Sequence, residues 1–160
     1  CIAVSLAKHL PLAEVSAIDV SPGALQLARA NAESNQVNIH WHELDILQAD
    51  PNFFPAEQLD VIVSNPPYVL KDEASSMKRN VLEHEPHLAL FVEDSDALLF
   101  YRRIVTLAEH WLKPGGRLYF EINEQFAQEG ISLFSELLWR NTQIHRDLQG
   151  KDRMLSAEKI

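Results

Sequence analysis

Four consecutive residues, Asn65-Pro66-Pro67-Tyr68, carry the densest chemistry in the chain. Two prolines in a row fix their own φ angles and restrict Asn65 as well, so the carbonyls of Asn65 and Pro66 point in set directions and no prolyl amide competes for partners. The result is a preorganised acceptor array. A planar NH2 group donates two hydrogen bonds, so the Asn65 side-chain oxygen and the Pro66 backbone oxygen can hold an amide or amine nitrogen in a fixed plane, on which Tyr68 would stack. An ordinary proline turn closing a strand is the plainer account of the same residues. Asp19 and Asp45 offer a second kind of chemistry. Asp19 stands just before Ser21-Pro22, where one carboxylate could accept hydrogen bonds from both vicinal hydroxyls of a ribose, or could simply help cap the helix that begins there. Asp45 either shares that pocket or only closes the next turn.

The elements that position these groups follow from periodicity. Residues 1 to 9 have helix formers and an apolar stripe through Ile2, Leu6 and Leu10, and Pro11 closes the segment. Residues 13 to 19 alternate as a half-buried strand that ends on Asp19, and Ser21 and Pro22 supply the N-cap and first position of a helix reaching about Ser34. Val37, Ile39 and Trp41 alternate with Asn38, His40 and His42 in a second strand that continues to Asp45. Leu59 to Ser64 is a β-branched run stopped by the prolines. From Val69 to Asp94 there is little periodicity, which predicts a long loop. Ser95 is the expected cap of a long amphipathic helix ended by Lys113-Pro114-Gly115-Gly116. A strand over 117–122, a helix over 124–139, a strand over 142–148 and a last strand over 153–157, returning antiparallel after Gly150, complete the pattern. Strands alternating with helices predict an α/β domain with a mostly parallel sheet, in which ligands sit at the carboxyl ends of the strands. Asp19, Asp45 and Asn65 to Tyr68 all fall at such ends and so form one candidate pocket.

Composition limits the function classes. The 160 residues are 46% hydrophobic and 23% charged, which suits one globular domain, here residues 1–160, and no apolar run is long enough for a membrane helix. A formal net charge of -9 repels phosphate backbones, so no direct nucleic-acid binding is expected. A single cysteine, Cys1, closes no intrachain disulfide, which points to a reducing, cytoplasmic setting. His40 and His42 lack a third ligand at tight spacing, and Pro86 breaks the helical geometry that His84 and His87 would need, so no metal is assigned. The acidic stretch from Asp72 to Glu85 reads as a solvated flap, and Trp111 and Trp139 read as core.

The segments AIDVSPGALQLARANA, VIVSNPPYV, NVLEHEPHLALF, FYRRIVTLAEHWLKPGGRLYFEI and DLQGKDRM resemble consecutive motifs of the HemK/PrmC family of release factor glutamine methyltransferases. Asn-Pro-Pro-Tyr is shared with other N-methyltransferases; Glu85-Pro86, Phe100-Tyr101, and Gly150 with Arg153 make the resemblance more specific. It implies a Rossmann-like, seven-stranded class I sheet that binds S-adenosyl-L-methionine. Asp19 would meet the cofactor ribose, with Asp45 in the same cofactor site and Ile46 beside the adenine. Asn65 would be shared by cofactor and substrate, and Asn65, Pro66, Pro67 and Tyr68 would grip the glutamine of a peptide-chain release factor. The resemblance also places the family's glycine-rich cofactor loop, its first strand and a small helical domain ahead of Cys1. That absent strand would lie between those ending at Asp19 and Ser64, so the chain is expected to expose two strand edges through which it could self-associate. Isoleucine at position 46, where an aromatic occurs in the family, gives apolar contact in place of stacking.

Overall fold

Ser21 and Pro22 begin a helix for the reasons their chemistry dictates: the Ser21 Oγ accepts the Ala24 N–H at 3.2 Å, and Pro22 occupies the first turn, where its missing N–H costs nothing. A computed structural model describes residues 1–67, 69–70, 91–92 and 96–160. Within them the chain forms two compact units, Cys1–Asp50 and Pro51–Ile160. The first unit holds α1 (Ile2–His9), β1 (Ser16–Asp19), α2 (Pro22–Ser34) and β2 (His40–Glu43). The strands pair in parallel, Ser16 with His40 through Asp19 with Glu43. Each begins about three residues later than its alternation suggests. Leu25 and Ala32 of α2 are buried, and Lys8 of α1 donates to Asn35 Oδ1 at 3.1 Å beyond the end of α2.

The second unit contains β3 (Leu59–Ser64), α3 (Leu99–Trp111), β6 (Leu112–Glu121), α4 (Ala127–Ile131), β7 (Trp139–Arg146) and β8 (Asp152–Lys159). Its sheet runs β3-β6-β8-β7, with β3 parallel to β6 and β8 antiparallel to both neighbours. Thus β1 and β3 are each an edge of their own sheet. Between β3 and α3 the backbone of β4 (Val69–Leu70) pairs in parallel with β5 (Phe91–Val92), so the stretch expected to be all loop is pinned near its two ends. The acidic flap, residues 72–85, lies outside the described residues.

The expected helix boundaries hold only in part. The cap Ser95 is outside the described residues, and α3 starts at Leu99 after Leu98, with no side-chain cap. The long helix α3 ends at Trp111, beside the expected Lys113-Pro114-Gly115-Gly116, but these four residues lie inside β6, where Asp60 alone faces them, because the register moves from Leu59↔Leu112 to Val61↔Arg117. Gly115 at φ +78 turns this bulge, and Gly116 lies so close to the chain that a Cβ there would stand 2.8 Å from the Lys113 carbonyl oxygen and 3.2 Å from that of Asp60. The helix expected over 124–139 is a 3-10 turn followed by the five residues of α4. Ser132 Oγ donates to the Glu129 carbonyl at 2.6 Å, and i+3 bonds from Leu133 and Phe134 tighten the chain. That brings Phe134 and Trp139 edge to face at 5.2 Å in the core.

Trp111 and Trp139 are both buried as expected, Trp111 from α3 but Trp139 from the start of β7 and not from a helix. The Trp111 indole donates to the Pro51 carbonyl at 2.6 Å and meets Phe54 edge to face. Among the described residues no helix is long and apolar enough to cross a membrane.

Candidate functional site

In the first unit the carboxyl ends of β1 and β2 carry the two acids. Asp19 is exposed, and its Oδ1 accepts the Ser21 N–H at 2.8 Å. Its other carboxylate oxygen makes no hydrogen bond among the described residues. The cap and ribose readings are therefore compatible: one oxygen fixes the residue that caps α2, and the other faces outward as an acceptor. Asp45 closes the turn after β2, taking the Leu47 N–H at 2.9 Å on Oδ1 and the Gln48 side-chain amide at 3.0 Å on Oδ2. Ile46, half-buried, is carried at a set place in that turn. An outward acceptor and a fixed apolar side chain on adjacent strand ends suit the ribose and the base of an adenosine. An open groove of about 370 Å³, lined by Pro11, Glu14, Val15, Val37 and His40 among others, lies at the opposite ends of these strands.

In the second unit β3 delivers Asn65 and Pro66 past its last ladder pair, Ser64↔Phe120. Asn65 is exposed, Pro66 buried and Pro67 half-buried, and the peptide bonds are trans. No hydrogen bond engages the Asn65 side chain among the described residues, so the prolines set its backbone while its carboxamide donors and acceptor are available. Tyr68 lies outside the described residues, as do Glu85-Pro86 and the histidines at 84 and 87. Asp19, Asp45 and Ile46 thus share one strand-end cluster in the first unit, while Asn65, Pro66 and Pro67 form another in the second.

The β6 end adds a residue that the sequence reading passed over. Glu121 closes β6 one position beyond Phe120, half-buried, and its backbone oxygen accepts the Tyr101 hydroxyl at 2.9 Å. The Ile122 N–H donates to the Arg153 carbonyl at 2.9 Å, which places Arg153, at the start of β8, at the same end of the sheet. The signal for Glu121 was the one used for Asp19, an acid at the end of a strand, but the pairing of β3 with β6 was needed to see its neighbour. Beyond Arg153 the β7–β8 turn is tied by Asp147, whose carboxyl is held below the ordinary aspartate range by the Lys151 and Gln149 N–H groups, with Arg153 contributing less. Among the described residues no three His, Cys, Asp or Glu side chains converge as metal ligands.

Residues 1–89 match the family model described as the methyltransferase small domain. Release factor glutamine methyltransferases from Flavobacterium psychrophilum and Bacteroides thetaiotaomicron are 51% and 45% identical to the chain. These matches take in 98% and 99% of this chain but 54% and 56% of those proteins, so the chain spans about half the length of the curated relatives it matches. Among solved structures, TrmN from Thermus thermophilus superposes with a TM-score of 0.68 at 22% identity, over 99% of this chain and 40% of that one. SMU.1697c from Streptococcus mutans, in complex with SAH, superposes at 0.61 with 15% identity, over 92% and 76% of the two chains. The expected class I S-adenosylmethionine-dependent methyltransferase fold is the fold found: α/β, with β1–β2, β3–β6 and β4–β5 paired in parallel and β8 antiparallel to both its neighbours. The chain belongs to the methyltransferase small domain family, and its resemblance to the release factor glutamine methyltransferases extends over almost all of its length.

Proposed function

We propose that the protein containing this chain transfers a methyl group from S-adenosyl-L-methionine to the side-chain amide nitrogen of a glutamine in peptide-chain release factors, in the cytoplasm. The observation that carries this reading is Asn65 at the end of β3, its backbone set by two prolines and its carboxamide free of protein partners among the described residues. The names of the relatives from Flavobacterium and Bacteroides support the substrate.

The donor supplies a methyl group already activated on a sulfonium, so the protein's task is geometric and electrostatic. Asn65 Oδ1 and the Pro66 carbonyl accept the two N–H bonds of the glutamine amide and hold its nitrogen in line with the methyl. Those bonds strengthen as positive charge develops on the nitrogen, which stabilises the transition state more than the bound substrate. Pro67 keeps the corner rigid, and Tyr68, outside the described residues, is the residue expected to stack on the amide plane. Asp19 accepts the ribose hydroxyls through its outward oxygen, and Asp45 and Ile46 line the adenine.

Incubating the intact protein with labelled donor and purified release factor tests the reading. Label should appear on one glutamine and vanish when that glutamine is replaced. Label on a ribosomal protein, or on a nucleic-acid amine, with the release factor left unmodified would overturn it; the net charge of -9 favours a protein over a nucleic acid.

A further inference from the structure

The second unit sets an acid beside the acceptor loop. Leu118 and Phe120 of β6 and Ile122 just after it are buried and alternate with half-buried Tyr119 and Glu121. Phe120 meets Tyr101 of α3 edge to face at 5.0 Å, and Ile122 lies against Gly130 of α4, so the buried set faces the helices. Tyr119 and Glu121 belong to the other sheet face. On β3, Val63 pairs with Tyr119 and Ser64 with Phe120. The residue before a proline is kept extended, so the alternation continues through Asn65 and puts it on the face of Val63, Tyr119 and Glu121. Asn65, the residue after β3, and Glu121, the last of β6, then fall on the same face at the same end of the sheet, each one position beyond the pair Ser64↔Phe120. The backbone of Glu121 is secured from both sides, by the Tyr101 hydroxyl and by pairing with Met154.

We propose that Glu121 is the counter-charge for the accepting nitrogen. This role rests on the glutamine reading above. When the N–C bond forms, the S–C bond breaks with its electron pair left on sulfur, and the positive charge moves to nitrogen. A carboxylate beside Asn65 favours that movement, and the methylated amide then gives its proton to Glu121 and from there to water. Asn65 and Pro66 orient the nitrogen; Glu121 supplies the charge that neutral carbonyls lack.

Ornithine places an ammonium where glutamine has its amide nitrogen, so a release-factor peptide with ornithine in the acceptor position mimics the charge without any donor. Calorimetry on the intact protein should show this peptide bound at least about 10-fold more tightly than the glutamine peptide. In Glu121→Gln that preference should disappear, with kcat down about 100-fold, KM for the glutamine peptide within about 3-fold and an unchanged melting temperature. Glu121→Asp should recover part of both the preference and the rate. An ornithine preference that survives Glu121→Gln, or an unaltered kcat, overturns the role, and so does a loss of rate that only follows a loss of melting temperature. If the wild-type protein neither binds nor methylates the glutamine peptide, the glutamine reading itself fails and takes this role with it.

Discussion

The two strand-end clusters are built in opposite ways. At the β1–β2 end, the acids are satisfied by neighbours in sequence: Asp19 takes the N–H of Ser21, and Asp45 takes groups from Leu47 and Gln48. At the β3–β6 end, Asn65 engages no side-chain partner among the described residues, and its setting is maintained from afar by Tyr101 on Glu121, Arg153 on Ile122 and the close approach of Gly116 to Asp60. A group that must grip the constant part of a ligand can be fixed by its own turn. A group that must meet a reacting atom needs its polar atoms unspent and its position imposed by the packed sheet.

The largest effect should come from the cluster that depends on the sheet. Asn65→Ala removes the side-chain acceptor and should lower turnover by on the order of 100- to 1,000-fold while donor affinity changes little. Parallel losses of rate and donor affinity would erase the distinction between the clusters. Asp19→Ala should weaken donor binding by about 1 to 3 kcal/mol. Asp19→Asn is more telling, because it keeps an oxygen for the Ser21 N–H and loses only the charge. Calorimetry should find its donor affinity reduced and thermal unfolding should find its stability close to wild type; unaltered affinity would leave Asp19 the cap role alone. Glycine replacements then separate local from distant support. Gly116→Ala drives a Cβ toward two backbone oxygens that cannot swing aside, and denaturant unfolding should read a loss of about 1 to 3 kcal/mol. Gly23→Ala, in the first turn of α2 with nothing nearer than 3.9 Å, should be neutral or stabilising by up to ~1 kcal/mol.

The smallest effect concerns the β7–β8 turn beside Ile122. Asp147 titrates lower in the folded chain than when unfolded, chiefly through the Lys151 N–H. Its contribution is complete above the ordinary aspartate range and is lost as pH falls through the depressed folded value. Asp147→Asn should therefore flatten the acid end of the stability profile below about pH 4 and leave the neutral region nearly unchanged. An acid limb identical to wild type would remove the turn from the supports of this sheet end.

The same local and distant division decides what could be read from the sequence. Ser21-Pro22, the run from Leu59 to Ser64, the proline corner and the antiparallel return after Gly150 were legible because each is specified by adjacent residues. Lys113-Pro114-Gly115-Gly116 marks the end of α3 as expected, but its place in a bulge of β6 was hidden, because the signals for ending a helix and for bulging a strand are the same and Asp60, 53 positions away from Lys113, sets the bulge. The shortened α4 escaped notice because the burial of Phe134 and Trp139 outweighs the helical periodicity of 124–139. Ile46 came only with the family resemblance, while Asp19, Asp45 and Asn65 were legible as residues at strand ends. Glu121 was not, since only the β3–β6 register gives it a neighbour.

The tryptophans offer an optical consequence of this layout. Trp41 of β2 is half-buried with the Arg29 guanidinium 6.0 Å from its ring centre, two residues before the Glu43 that pairs with Asp19. Trp111 and Trp139 are enclosed in the second unit. Emission from Trp41 should lie to the red of the other two and respond when a nucleoside occupies the Asp19 end, whereas the enclosed pair should report melting of the four-stranded sheet. Replacing Trp41 by Phe would divide the two signals, turning the chain's intrinsic fluorescence into separate readouts of ligand occupancy and of folding.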